Sequence, residues 1–410
     1  MKNSYLLASN FGAFMQNVGG IVLAVATLLI MVTVHEWGHY IAGKILGFRI
    51  NEFAIGFGPA IFKKRSKKTG ELFALRVIPL GGYCAFEGED EWEEKPTQNE
   101  PFEDEFAQKN VSALDEEKTQ KDDGENYPTP MGKPFNEQKP WKRIIVLIAG
   151  ALMNYILALT LIIVMFGAYG RIHSFVGYAG ETPPAITNPE GLCAKDIVLS
   201  VDGKDIYLAT DYVDILSGKQ KGEEVTVQIL RRDENDVWQP KTLILILQTD
   251  CNFVSMTQTG DVLTALGLDN TKYGFGSVTV KEGFFQTIGA SFVYSGKIGG
   301  SVLRSLGELI TGRLPINSLG GPVTTIKLTS QIAAAGVLPF LNIASFIGVN
   351  LAVFNLLPIP ALDGSKVVFC IIEWIRKKPV NRKVESIIHF VGIVVLFGFA
   401  ILVDVLQLFA

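Results

Sequence analysis

His35-Glu36-Trp37-Gly38-His39 is the first part of this chain that could do chemistry. Two histidines four apart on a helix share one face, one turn apart, so both imidazoles reach one metal ion. Glu36 stands beside the first of them and can polarise a water on that metal. The chain has four histidines, and half of them are here. The motif interrupts a nearly continuous apolar run, residues 17–45, where charged groups are unfavourable unless partnered. A second chemical centre closes another apolar run: Asn355-Leu356-Leu357-Pro358-Ile359-Pro360-Ala361-Leu362-Asp363-Gly364. An aspartate beside proline breaks at membrane depth calls for an ion partner or a metal.

The elements that must position these residues are mostly apolar helices. The chain is 48% hydrophobic with positive mean hydropathy, which indicates a membrane protein with soluble parts. Four spans are expected, at about 17–45, 144–169, 333–357 and 386–409, each long enough for roughly 30 Å of hydrocarbon. Lys44, Arg49, Lys63, Lys64, Arg65, Lys67, Lys68 and Arg76 follow the first span. Trp141-Lys142-Arg143 opens the second, and Lys366, Arg376, Lys377, Lys378, Arg382 and Lys383 follow the third. The positive-inside rule puts these loops in the cytoplasm and both termini outside. His35, His39 and Asp363 then fall near the same, cytoplasmic face of the membrane, so a shared intramembrane site is expected. No cleavable signal pattern precedes the first span.

Between the spans the composition changes repeatedly. Residues 48–86 read as short strands broken by Gly and Pro, a membrane-associated β-hairpin. It either offers an edge to an extended substrate or simply caps the first helix. Residues 87–140 form an acidic insertion expected to be disordered: 87–125 hold 16 acidic residues and 4 lysines, against 33 basic and 25 acidic elsewhere. No basic patch with interleaved aromatics suggests nucleic acid as a partner. Within the second span, Gly150, Ala151, Met153 and Asn154 form a small-and-polar patch suited to close helix packing. Residues 171–275 read as a compact extracytoplasmic domain, with a helix over 209–216 and strands over 223–230 and 241–247. Residues 276–332 hold an amphipathic helical stretch that suits the membrane surface. The four cysteines include no C-x-x-C pair, and Cys193 and Cys251 are expected as free thiols rather than a disulfide. His173 is expected to be structural or solvent-exposed, and His389 to pack or face the interface, rather than to bind metal.

His35-Glu36-x-x-His39 together with Asn355-x-x-Pro358-x-Pro360-x-Leu362-Asp363-Gly364 resembles the site-2 protease family of intramembrane zinc metalloproteases. Phe57-Gly58-Pro59, Pro79-Leu80-Gly81-Gly82-Tyr83 and Leu319-Gly320-Gly321-Pro322-Val323 extend the resemblance to its bacterial RseP/RasP-type group. Gly191-Leu192 with Asp196-Ile197 and Val201-Asp202-Gly203 resembles a PDZ domain, departing from the usual pattern at Pro189-Glu190 and Cys193-Ala194. The fold expected is therefore a polytopic α-helical membrane protein of four transmembrane helices, with a membrane-associated β-hairpin and an inserted α/β PDZ-like domain.

The resemblance implies a bacterial inner-membrane metalloendopeptidase with Zn2+ held by His35, His39 and Asp363. It implies Glu36 as general base and Asn355 as the group holding the substrate backbone or the developing oxyanion. Substrates would be transmembrane segments of single-pass proteins such as anti-sigma factors or remnant signal peptides. It further implies that the β-hairpin presents substrate in extended form and that the PDZ-like domain and amphipathic helices sort substrates on the outer side. Two other readings stand beside it. A catalytically silent scaffold would bind partners through the PDZ-like domain, and a transporter would line an ion path with its intramembrane charges. A scaffold need not keep every ligand and the base, and a transporter would usually show internal repeats, which this chain lacks.

Overall fold

A computed structural model of the chain describes residues 2–89, 127–180, 189–253, 258–316 and 319–408. Among these, four helices are long and apolar enough to cross a membrane: Val18–Leu46, Pro140–Tyr169, Val337–Leu356 and Lys383–Gln407. They belong to helices α1 (Lys2–Leu46), α2 (Pro140–Tyr169), α7 (Val337–Leu356) and α9 (Arg382–Leu408). Polar side chains within α1 are satisfied locally: Thr27 and Thr33 donate to the carbonyls of Leu23 and Leu29 at 2.7 Å. Such back-bonding removes the need for water or lipid partners. The third span begins later than residue 333. Gly336, at φ +133°, separates α6 (Pro322–Ala334) from α7, a conformation open to a residue without a Cβ.

The chain divides into two compact units, one of residues 1–27, 154–354 and 397–410, the other of residues 28–153 and 355–396. The first contains a six-stranded sheet domain. Its strands are β3 (Arg171–Tyr178), β4 (Ile197–Val201), β5 (Lys204–Asp205), β6 (Glu224–Arg232), β7 (Trp238–Ile246) and β8 (Tyr273–Val280). They form a sheet of order β7-β6-β4-β3-β8, with β5 beside β4. β6 alternates exposed and buried residues over its first six positions, the pattern of a strand with one wet face. Helices α3 (Ala209–Leu216) and α4 (Thr259–Ala265) supply Tyr212, Val213, Leu216, Val262 and Leu263 to the core against Val198, Val225 and Val227. The domain runs to Val280, past the expected end at 275, because β8 pairs along the whole of β3 from Tyr178–Tyr273 to Arg171–Val280.

Helix α5 (Phe284–Ile310) is the amphipathic stretch, a single helix of 27 residues. Two of its basic residues make ion pairs with α3: Lys297 Nζ lies 2.7 Å from Asp211 Oδ1, and Arg304 meets Asp214. The start of α6 is capped from α9. Asp404 accepts the N–H groups of Val323 and Thr324 at 3.0 and 3.1 Å, satisfying orphan donors of a helix N-terminus. A Cβ on Gly321 would lie 2.4 Å from the Asp404 carboxyl carbon, which is why glycine precedes Pro322. All four cysteines are free thiols in this structure.

The second unit carries β1 (Ile50–Arg65) and β2 (Leu72–Phe86). They are not a plain hairpin. Each strand folds back on itself, so Ile50–Ile55 pairs with Phe86–Gly82 on one side and with Leu72–Leu75 on the other, while residues 60–65 pair with 76–72. Four segments thus lie side by side in the order 82–86, 50–55, 72–76, 60–65. The folding points hold Gly56 and Gly58 in β1 and Gly81 in β2, all at positive φ. Arg76 ties the segments, donating to Gly58 O, Glu52 and Tyr83 Oη at 2.7 to 2.8 Å. Phe57, Ile61, Phe62, Val77 and Ile78 are exposed apolar residues of this sheet. The turn before β2 is fixed to α1 through buried Glu71, which accepts from Lys44 Nζ at 2.6 Å and Tyr40 Oη at 3.1 Å.

Most of the acidic insertion, residues 90–126, lies outside the described residues. Its C-terminal part departs from the expectation of disorder. Lys133 exchanges backbone hydrogen bonds with Gly47 and Arg49, and Phe135 N–H donates to Glu87 O. Phe135 is buried against the rings of Phe48 and Phe86. One large aromatic in an otherwise polar stretch is enough to dock the chain entering α2. This cluster, with Ile50, Cys84, Val146, Leu147 and Cys370, forms the core of the unit. Buried Arg143 of α2 meets Glu373 of helix α8 (Asp363–Arg376) at 2.5 Å.

Candidate metal centre

α1 presents His35 and His39 one turn apart, as the spacing requires. The third group comes from the start of α8. Pro358 and Pro360 stop α7 from continuing, and the chain turns through Ala361 at φ +82° before Asp363 opens α8. His35 Nε2 lies 3.1 Å from His39 Nε2, and the two nitrogens lie 3.0 and 3.3 Å from Asp363 Oδ2. Four bonds of about 2.0–2.1 Å arranged as a tetrahedron place neighbouring ligand atoms ~3.3 Å apart. The observed triangle has that size. Both histidines are buried, and Asp363 Oδ2 is a buried oxygen with no directed hydrogen bond. Its lone pairs and those of the imidazoles are free to converge on a common point.

The surroundings favour metal binding over a mere polar cluster. His39 Nδ1 donates to the Val146 carbonyl at 2.8 Å. That bond fixes the tautomer, leaving Nε2 as the lone-pair donor, the usual arrangement of a ligating imidazole. The rings of His35 and His39 stand at 86° with centroids 4.7 Å apart. Room for them is made by Gly150 of α2, where a Cβ would lie 2.4 Å from His39 Nε2 and 2.8 Å from His35 Cε1. Gly38 has the matching role on α1, since a Cβ there would lie 2.4 Å from Ala149 O. Close helix approach through small residues is how packed helices bring such groups together in a membrane.

Glu36, His39 and Asp363 line one cavity of about 490 Å3. The rest of its wall includes Tyr83, Cys84, Ala85, Phe86, Glu87 and Glu89 of the sheet's 82–86 segment and its continuation. That segment pairs with Ile50–Ile55 on one side, and no described residue pairs with its other side. Gly82 sits against Glu36, so a Cβ there would be 3.3 Å from Glu36 Cγ. Lys366, one turn along α8 from Asp363, reaches Glu89 at 2.8 Å across the cavity wall. Asn355 Nδ2 lies 3.4 Å from His35 Nδ1, which places it behind a histidine.

Of the residues singled out from sequence, His35, His39, Asp363, Glu36 and Asn355 come together here. His173 and His389 do not join them. His173 is buried on β3 and His389 accepts the Ala361 N–H, both structural positions. Sequence reasoning missed the Val146 carbonyl and the role of Gly150, although the latter lay in the small-residue patch already noted in the second span.

A donor set of this kind on a helix able to cross a membrane is that of an intramembrane metallopeptidase. The model of peptidase family M50 matches residues 23–399, and the chain belongs to that family. It is 30% identical to zinc metalloprotease RasP of Bacillus licheniformis, over 96% of this chain and 100% of the relative. It is 28% identical to the regulator of sigma-W protease RasP of Bacillus subtilis, over 97% and 100% of the two chains. A putative zinc metalloprotease of Clostridium perfringens is 30% identical over 94% and 97%. The protein is thus a multi-pass, zinc-dependent metalloendopeptidase of the site-2 protease type.

Proposed function

We propose that this protease cleaves transmembrane segments of single-pass proteins, taken in extended form along the 82–86 edge. The observation that carries this reading is the sharing of one cavity by Glu36, His39, Asp363 and residues 83–86 of that edge, which among the described residues pairs only with Ile50–Ile55. A peptide bond inside a helix is wrapped by its own turns, so a substrate helix must open before attack. An open sheet edge gives the freed N–H and C=O groups partners that lipid lacks. The exposed apolar residues Phe57, Ile61, Phe62, Val77 and Ile78 suit a sheet inserted among lipid tails.

In this reading His35, His39 and Asp363 would hold zinc through two imidazole nitrogens and a carboxylate oxygen. Zinc, when bound, supplies a Lewis acid for the scissile carbonyl and the attacking water. Glu36 takes the proton from that water and returns it to the leaving amine. Asn355, expected to hold the substrate backbone or oxyanion, stands close enough to His35 to orient its ring as well. Anti-sigma factors and remnant signal peptides are the substrate classes in view. The 171–280 domain is read as PDZ-like and extracytoplasmic, sorting substrates together with α5, and both termini as extracytoplasmic. Exposed Lys63, Lys64, Lys68, Lys377, Lys378 and Lys383 support that orientation.

The test is cleavage of a model transmembrane segment by the purified full chain. Activity should vanish on chelation and return with zinc, and Glu36→Gln should keep the metal but cleave nothing. Full activity of Glu36→Gln would remove the mechanism. Zinc bound without any cleavage by the parent would favour a silent scaffold.

A further inference from the structure

We propose that His389 is a positioning residue for the metal centre: from α9 it holds the Pro360-Ala361 step in the one backbone conformation that delivers the Asp363 carboxylate to His35 and His39. The proposal rests on the reading of Asp363 as a zinc ligand.

Ala361 lies two residues before Asp363 and adopts φ +82°, which a residue with a Cβ occupies only when its surroundings impose it. The chain could relax to negative φ by swinging the next residues, and Asp363 would leave the triangle. Two contacts from α9 oppose this. His389 Nδ1 accepts the Ala361 N–H at 3.3 Å, so the ring proton sits on Nε2. Three residues on, and on the same helix face, Gly392 admits the proline: a Cβ there would lie 2.4 Å from Pro360 Cβ and 2.8 Å from Pro360 O. The imidazole is itself held by Phe369 of α8, with ring centroids 5.9 Å apart.

On the far side of the turn, Leu362 N–H donates to Ile359 O, and Ser365 donates to Leu362 O through both its N–H and its hydroxyl. These bonds couple the turn at Ala361 to the first turn of α8. Displacing Ala361 therefore displaces Asp363 with it. A ring 28 residues downstream of the turn, on a different helix, thereby sets the place of a metal-ligating oxygen.

The test uses the full chain in detergent with three substitutions. His389→Leu removes the acceptor. His389→Asn keeps an oxygen where Nδ1 stands, and His389→Gln carries its oxygen one bond further, where Nε2 stands. Zinc affinity is read by titration in a metal buffer, and kcat and KM are read separately on a model transmembrane substrate. Loss of a supporting contact behind a metal ligand typically weakens the metal or the activity by about 10- to 100-fold. The proposal expects His389→Leu and His389→Gln to lose zinc affinity and kcat by about tenfold or more, with KM little changed, and His389→Asn to stay within about threefold of the parent. Should His389→Leu not fold, the Asn and Gln variants decide. Equal behaviour of these two, or parental zinc affinity and kcat in His389→Leu, would overturn the proposal. Asp363→Ala serves as the control: if it binds zinc as the parent does, the ligand reading fails instead, independently of His389.

Discussion

His39 Nε2 occupies space that a side chain at Gly150 would take, for a β-carbon at that position would lie 2.4 Å away. The close pairing of His35 and His39 on α1 therefore depends on the bare backbone that α2 offers. Gly150→Ala should leave α2 helical, since alanine is the better helix former. It should push both imidazoles off their triangle and lower zinc affinity and cleavage by about tenfold or more. Zinc titration with circular dichroism as the folding control checks this.

The open edge makes a second prediction. Along a strand, successive residues turn their N–H and C=O groups to opposite sides. Proline at successive positions from Tyr83 to Phe86 should thus alternate in effect. Where the lost N–H faces the cavity, kcat/KM should fall by roughly tenfold, the worth of one good hydrogen bond, with stability nearly unchanged. Where it faces Ile50–Ile55, stability should fall too. Proline at Lys63, in the opposite edge segment, should leave cleavage intact. Paired cleavage and melting measurements on this series separate the two edges.

The six-stranded sheet domain has its own pH dependence. His173 is buried on β3 with Glu282 Oε1 3.7 Å from Nε2. Burial, reinforced by the Arg171 guanidinium, pushes its pKa down to about 4, against about 6.5 in the unfolded chain. The folded state thus holds the neutral ring. Between those values the unfolded chain binds more protons, so stability is complete above about pH 6.5 and is lost as pH falls toward 4. A shift of this size is worth at most about 3 kcal/mol. Thermal unfolding of the full chain at about pH 7 and pH 5 should show the loss, and His173→Gln should reduce it.

The parts legible in the sequence were those carried by local periodicity or by fixed spacing. His35 and His39 meet because four residues make about a turn, and 209–216 was readable as a helix to the residue. Asp363 was reachable because proline breaks and basic flanks locate it near the same membrane face. What escaped depends on contacts distant in sequence. The double folding of β1 and β2 follows from pairing between segments whose alternation looks the same in a simple hairpin. The docking of Phe135 was hidden by the acidic average of the stretch around it. Gly336 split an apolar run that hydropathy alone joins. Gly150 read as a packing residue, and only its distance to His39 reveals that it makes room for the histidine pair.

X-ray absorption at the zinc edge of the purified protein reads the ligand set itself. One zinc per chain is expected, with two imidazole nitrogens at about 2.0–2.1 Å, the remaining ligands being oxygen, and no sulfur. Asp363→Ala should lose an oxygen ligand or the metal itself. A sulfur shell near about 2.3 Å, as Cys84 in the same cavity wall would give, or an unchanged spectrum in Asp363→Ala, would contradict it.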